Sequence, residues 1–275
     1  MKPLFCLLGL LFAVLQHAAA ELKTDIEFAK PDGVSLTLDA FVPDGAGPFP
    51  TCILVHGGGW TKGDKTTFIK PLFEPLSKAG FVWFTINYRL APGAKYPACL
   101  EDVQAAIRWV KAHAAEYKVD PKRIALIGES AGGHLVSLAG VMAGDDTRVT
   151  VVVPFYAPHD LVAHEEERPS AGKVFSALFG ISEELNDANR KILRDASPYL
   201  KLKSGLPPYL QIHGDADTTV AYGQSTRFQE KSRQLGNVCD LITVKGGGHG
   251  MGGWAKLGSD YAQQMIDWLN KHMPG

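Results

Sequence analysis

Cysteine is scarce in this chain. There are four in 275 residues, and Cys6 lies inside the first apolar run. The others, Cys52, Cys99 and Cys239, cannot all pair, so a disulfide framework is excluded as the main support of the fold. Cys52 and Cys239 fall in strand-like apolar runs and are expected as buried free thiols. An excess of charge of either sign is also missing. Lysine and arginine total 28 against 29 acids, a formal net charge of −1. Such a chain has no electrostatic pull toward nucleic acid, so no nucleic-acid partner is expected. Metal-ligand spacing is absent too. His113, His159, His164 and His272 have no Asp, Glu or Cys at the intervals a coordination site uses, so no metal and no cofactor are expected. Repeats, low-complexity tracts and linkers are missing. No apolar run reaches the roughly 20 residues of a membrane span.

What remains is ordinary globular composition, 45% hydrophobic and 21% charged, enough for one large domain with a full core. The N-terminus stands apart. Lys2, an apolar stretch over 4–15 and Ala18-Ala19-Ala20 read as a secretory signal peptide over 1–20. The expectation is a single catalytic domain over 21–275, secreted or periplasmic, with no stable membrane insertion after cleavage.

Strand-like runs recur at 26–28, 36–42, 52–55, 81–88, 124–127, 149–155, 209–212 and 240–244. Helical patterns lie between the later ones. Over 100–110, Val103, Ala106, Ile107 and Val110 share one face at helical spacing; 228–235 and 261–269 also read as amphipathic helices. This alternation predicts an α/β fold, a mostly parallel sheet of about eight strands with helices on both faces. The first strands have no helix between them, so the sheet should open with an antiparallel pair. One segment, 160–197, is long and polar, with His164-Glu165-Glu166-Glu167-Arg168-Pro169 near its start. It reads either as a small lid over the strand ends or as a solvated excursion.

The most informative stretch is Gly128-Glu129-Ser130-Ala131-Gly132. It sits between the apolar run 124–127 and a small-residue helical pattern from Gly133. Strand, tight turn and helix in that order place a serine at the apex of a strained turn with small flanks. The following helix start offers the Ala131 N–H to a developing oxyanion. A serine hydroxyl also needs a base, an orienting acid and further oxyanion donors. The base candidate is His249, in Gly246-Gly247-Gly248-His249-Gly250 after the strand at 240–244. A phosphate cradle is the rival reading of those glycines, but no Lys-Ser/Thr follows. The acid candidate is Asp217, in His213-Gly214-Asp215-Ala216-Asp217, at a strand's carboxyl end where open α/β sheets place their sites. Asp215 is expected to brace the turn and His213 to be structural. The donors come from His56-Gly57-Gly58-Gly59-Trp60. Gly58 and Gly59 let backbone N–H groups approach a substrate oxygen with no Cβ in the way. His56 reads as a loop brace and His134 as a packed residue. Trp60 either binds substrate as a wall of the acyl pocket or simply packs.

Together with Asn87-Tyr88-Arg89-Leu90-Ala91-Pro92 and the Tyr96-Pro97…Asp102 run, these motifs resemble the α/β-hydrolase superfamily over about residues 30–272. The chain most resembles the compact esterases related to bacterial feruloyl and acetyl-xylan esterases and to the hormone-sensitive-lipase group. That resemblance implies a Ser–His–Asp triad on Ser130, His249 and Asp217 and an oxyanion hole on Gly58, Gly59 and Ala131. Hormone-sensitive-lipase relatives carry a helical cap upstream of the HGGG loop. Here 21–55 is largely filled by strands, so the compact type fits better. Kynurenine formamidases are also similar in the glycine-Trp loop, which keeps an amide hydrolase open beside an ester hydrolase; a binding protein on a hydrolase fold is the third alternative. The leading expectation is a carboxylesterase acting on short-chain acyl esters, small molecules or acetyl and feruloyl groups of plant polysaccharide.

Overall fold

Two interleaved apolar rows along each central strand decide the architecture. Ile53 and Val55 point into one hydrophobic cluster, with Ile124 and Leu126. Cys52 and Leu54 point into the other, with Ala125 and Ile127. Successive side chains of a strand face opposite ways, so strands apolar at every position must be covered on both faces.

A computed structural model describes residues 19–275; the leader expected over 1–20 lies almost wholly outside the described residues. The elements run β1 (Glu21–Ala29), β2 (Leu36–Val42), β3 (Phe49–Val55), α1 (Phe73–Lys78), β4 (Val82–Ile86), α2 (Ala98–Ala112), β5 (Val119–Glu129) and α3 (Ala131–Val141). They continue with β6 (Val151–Phe155), α4 (Leu161–Glu167), α5 (Gly172–Phe179), α6 (Asp187–Asp195), β7 (Tyr209–Gly214), α7 (Gly223–Gln234), β8 (Cys239–Val244) and α8 (Tyr261–His272).

All eight strands form one sheet in the order β1-β2-β4-β3-β5-β6-β7-β8. β2 runs antiparallel to both β1 and β4, and the rest of the sheet is parallel. The short β1–β2 link allows only an antiparallel pair, whereas each later parallel pair needs a crossover helix. Val103 of α2, Leu135 of α3 and Phe228 of α7 join one cluster; Leu76 of α1 and Met265 of α8 join the other. Helices therefore cover both faces, as the α/β-hydrolase pattern implies. The chain leaves β3 through α1 to β4 on one side and returns through α2 to β5 on the other. That reversal opens a crevice outside the carboxyl ends of β3 and β5. The His56–Trp60 loop and Ser130 lie there, directly after those two strands.

The polar segment between β6 and β7 folds into the short helices α4, α5 and α6. Asp160 caps α4, its Oδ1 accepting the N–H of Val162 and Ala163 at 3.2 Å. Asn186 caps α6 by accepting the Asn189 N–H at 3.0 Å. Such caps offset the orphan donors that make short helices marginal. Cys52, Cys99 and Cys239 are free and buried. Among the described residues no helix is long and apolar enough to cross a membrane.

Burial lowers the pKa of His56, His134 and His164 to about 4 and that of His159 to about 3. In the unfolded chain a histidine titrates near about 6.5. Below that pH the unfolded state binds protons that the folded state refuses, so stability falls as pH drops from about 6.5 toward 4. Each fully buried ring contributes up to about 1.4 kcal/mol per pH unit in that window. The melting temperature is expected to decline steeply between pH 6.5 and 4.5 in a thermal-shift series. A flat profile would mean that these rings are hydrated in the folded protein.

Candidate active site

Ser130 stands alone between β5 and α3, with φ 52° and ψ −115°. Few L-residues adopt that backbone, and it persists only when the surroundings enforce it. The Ser130 N–H donates to the Phe155 carbonyl and its own carbonyl accepts the His134 N–H, both at 2.9 Å. The second glycine of the turn explains the close fit on the other side. A Cβ on Gly132 would strike the carbonyl oxygens of Val55 and His56. Without one, the start of α3 lies against the end of β3, and Ala131 sits beside the His56–Trp60 loop.

The three residues named from sequence meet. Ser130 Oγ lies 2.9 Å from His249 Nε2, and His249 Nδ1 lies 2.7 Å from Asp217 Oδ2. Burial alone would raise the Asp217 carboxyl; hydrogen bonds from His213 and His249 together outweigh it and hold the group well below the usual carboxylate range. An ionised carboxylate only accepts, so the proton between Asp217 and His249 belongs to Nδ1. That leaves the Nε2 lone pair facing the Ser130 hydroxyl, the tautomer a general base requires. Asp217 is itself anchored, its Oδ1 accepting the N–H of Thr219 at 2.7 Å and of Val220 at 3.0 Å. His213, expected as structural, lies with Nε2 3.3 Å from Asp217 Oδ2 and 3.0 Å from the Val220 carbonyl. Asp215 braces the neighbouring loop rather than its own turn. Its Oδ1 accepts the Gly246 N–H at 2.6 Å, tying the loop after β7, which carries Asp217, to the loop that carries His249.

The glycine loop is fixed by a contact that motif reading did not reveal. Gly57 donates its N–H to Glu129 Oε1 at 2.5 Å. Glu129 is 3% exposed. Burial raises its pKa, against the opposing effect of hydrogen bonds from Tyr156 and Gly57. The Tyr88 hydroxyl reaches the carbonyls of His56 and Gly57 at 3.1 and 3.2 Å, and the His56 ring stacks on Tyr88 at 4.3 Å. His56 is thus the brace expected. Gly58 has φ +99°, and a Cβ there would strike the Lys62 carbonyl. With the Gly57 N–H committed to Glu129, the next two glycines are the ones that border the cavity with Ala131. Donors on two sides of one point are what a tetrahedral oxyanion needs.

The cavity above Ser130 measures about 840 Å³. The α4–α5 segment contributes His164, Arg168, Val174 and Phe175 to its wall. Part of the 160–197 segment therefore borders the cavity. Trp60 both packs and forms wall: it is 4% exposed, lines the cavity, and meets His134 at 5.2 Å and Phe175 at 6.0 Å between ring centroids. His134 is packed as expected, with Nε2 2.8 Å from the Ala196 carbonyl.

Comparison with known proteins agrees with this geometry. The BD-FAE family model matches residues 38–232. Esterase LipC of Mycobacterium tuberculosis is 32% identical over 216 residues, which cover 74% of this chain and 53% of that protein. The chain spans about half the length of the curated relatives it matches. Among solved structures, a truncated carbohydrate esterase from gut microbiota superposes with TM-score 0.81 at 27% identity, over 94% of this chain and 99% of that one. The Thermogutta terrifontis esterase Est2 with propionate bound superposes with TM-score 0.74 at 27% identity, over 93% and 95% of the two chains. With the family model matching more than half of its length, and with the sheet order found here, the chain belongs to the BD-FAE family, on an α/β-hydrolase fold.

Proposed function

We propose that this chain is a serine carboxylic-ester hydrolase that releases short acyl groups, acetyl foremost, from small-molecule or polysaccharide esters. The observation that carries the reading is the unbroken chain from Asp217 through His249 to Ser130, at 2.7 and 2.9 Å, with Gly58, Gly59 and Ala131 at the same cavity. In this reading Ser130 Oγ attacks the ester carbonyl carbon as His249 Nε2 takes the hydroxyl proton. The carbonyl oxygen becomes an oxyanion and accepts N–H bonds from Gly58, Gly59 and Ala131. His249 returns the proton to the departing alkoxide, the C–O bond breaks, and the acyl group stays on Ser130. Water then attacks with His249 again as base, releasing the carboxylic acid and restoring the serine. Asp217 stays ionised throughout, orienting His249 and stabilising its imidazolium.

Other features support the ester and acyl parts of the reading. LipC is an esterase by name, and Est2 was solved with propionate. Phe175 packs against Trp60 on one side of the cavity, and in this reading that wall receives a short acyl chain. Each methylene that such a wall buries is worth about 0.8 kcal/mol, and methylenes beyond it gain nothing. We also propose export, on the pattern of residues 1–20 alone.

Four sets of kinetics test this. Ser130→Ala should lower turnover of 4-nitrophenyl acetate by about 10⁴–10⁶ with the fold retained. Residual turnover of more than a few per cent would place the nucleophile elsewhere. Asp217→Asn should cost about 10⁴ through loss of the correct histidine tautomer, and Asp215→Asn far less; the reverse ranking would reassign the acid. Glu129→Ala frees the Gly57 N–H and unfixes the oxyanion loop. Its loss in kcat should approach the ~10²–10³ of a missing oxyanion donor, with KM little changed. An unaltered kcat would make Glu129 a packing residue only. Across a series of esters, kcat/KM should fall from acetate to octanoate. A steady rise, or faster cleavage of N-formylkynurenine than of any ester, would contradict the short-acyl esterase.

A further inference from the structure

Among the described histidines that the mechanism does not use, His164 is the one whose ring makes no hydrogen bond to the protein. His164 lies on α4, is 6% exposed and lines the cavity that holds Ser130 and His249. Its Nδ1 is buried with no hydrogen bond. The ring meets Phe175 edge-on at 5.9 Å, an apolar neighbour. Among the described residues, the other buried histidines each use at least one ring nitrogen on the protein. His56 contacts the Gly57 carbonyl, His134 the Ala196 carbonyl and His159 Gln211 Oε1. His213 uses both, on Ser225 Oγ and the Val220 carbonyl.

A buried polar nitrogen with no partner is destabilising by about 1–3 kcal/mol. Nδ1 is sealed from the cavity, but among the described residues the protein offers Nε2 no hydrogen bond either, and Nε2 is the ring nitrogen left open to a ligand in the cavity. Burial keeps the ring neutral, with a pKa near about 4, so one nitrogen donates and the other accepts. A hydroxyl is the complementary group, since it too donates and accepts. Arg168, next to the last residue of α4, lines the same wall. Its guanidinium is held in place by the Thr219 carbonyl and Ser170 Oγ, both at 3.1 Å. These contacts use two of its five N–H groups, and the remainder are donors only. Thr219 is in turn fixed by Asp217, so this polar wall keeps a set position relative to Ser130.

We propose that His164, assisted by Arg168, is a specificity-determining residue that hydrogen-bonds a hydroxyl group of the substrate close to the scissile ester. This rests on the ester-hydrolase reading. It adds to it that the enzyme selects hydroxylated esters over apolar ones of the same size. A site built to hydrogen-bond a hydroxyl rejects the analogue lacking it more strongly than an apolar pocket rejects an extra group, because its own polar atoms are left unpaired.

The test compares kcat/KM on a monoacetylated methyl pyranoside with that on cyclohexyl acetate, in the full chain and in His164→Leu, His164→Gln and Arg168→Met. The wild type should favour the pyranoside ester. His164→Leu should reduce that preference by about tenfold or more, chiefly through KM on the pyranoside ester. His164→Gln, which restores a donor and an acceptor, should recover much of it. Arg168→Met should reduce the preference as well, and it carries the test if His164→Leu does not fold. Equal losses on both esters, or an unchanged ratio, would overturn the assignment and make His164 a packing residue. Cleavage of both esters without preference in the wild type would remove the subsite and leave the esterase. Cleavage of neither would remove the esterase reading and the subsite with it.

Discussion

The hydrogen bond from Gly57 to Glu129 is the contact on which the site depends. It joins the loop after β3 to the residue before the serine, two points 72 residues apart in sequence. It commits one amide of the glycine loop, and so decides which amides remain for substrate. It also fixes the loop relative to the serine turn, because Glu129 and Ser130 are adjacent. An oxyanion hole acts by having its donors in place before charge develops. In the proposed mechanism that order comes from a buried carboxyl against a backbone N–H, reinforced by Tyr88 on the carbonyl side of the same loop.

The proposed acid and base are organised by the same logic on the other side of Ser130. Asp217 accepts from two backbone amides and faces two histidines. Asp215 ties its own segment to the His249 loop through Gly246. Ser130, Asp217 and His249 each follow a different strand of the parallel part of the sheet, so the register there sets their spacing. The Tyr156 ring packs edge-on against His249 at 4.8 Å, and the Tyr156 side chain also reaches Glu129. One residue therefore touches both His249 and Glu129, the anchor of the glycine loop.

Much of this was legible in the sequence, and the reason is locality. The eight strand-like runs correspond to the eight strands, with ends shifted by a few residues, because strands buried on both faces read as continuous apolar runs. Ser130, Asp217 and His249 each lie in a short motif at a strand end, so spacing alone nominated them. Glu129 was visible as a letter of the serine motif, but its partner Gly57 is remote, and no local pattern announces such a contact. α1 was missed because it has six residues with Pro75 among them. His164 reads from sequence only as lacking metal-ligand spacing, and it stands at the head of a charged run. In α4 that run is amphipathic: His164 and Glu165 are buried while Glu166 and Glu167 face solvent. One turn of helix is too short for periodicity to show this. The sequence signal that could have found it was Asp160, a cap residue directly before an apolar pair.

The central claim is that the strained turn presents Ser130 as the one activated nucleophile, with its base and oxyanion donors already in place. Mass spectrometry of the protein after reaction with a fluorophosphonate measures this directly. The account predicts a single adduct per chain, located on Ser130 by peptide mapping and absent when the protein is unfolded before reaction. An adduct on another residue, or no adduct on the folded protein, would contradict it.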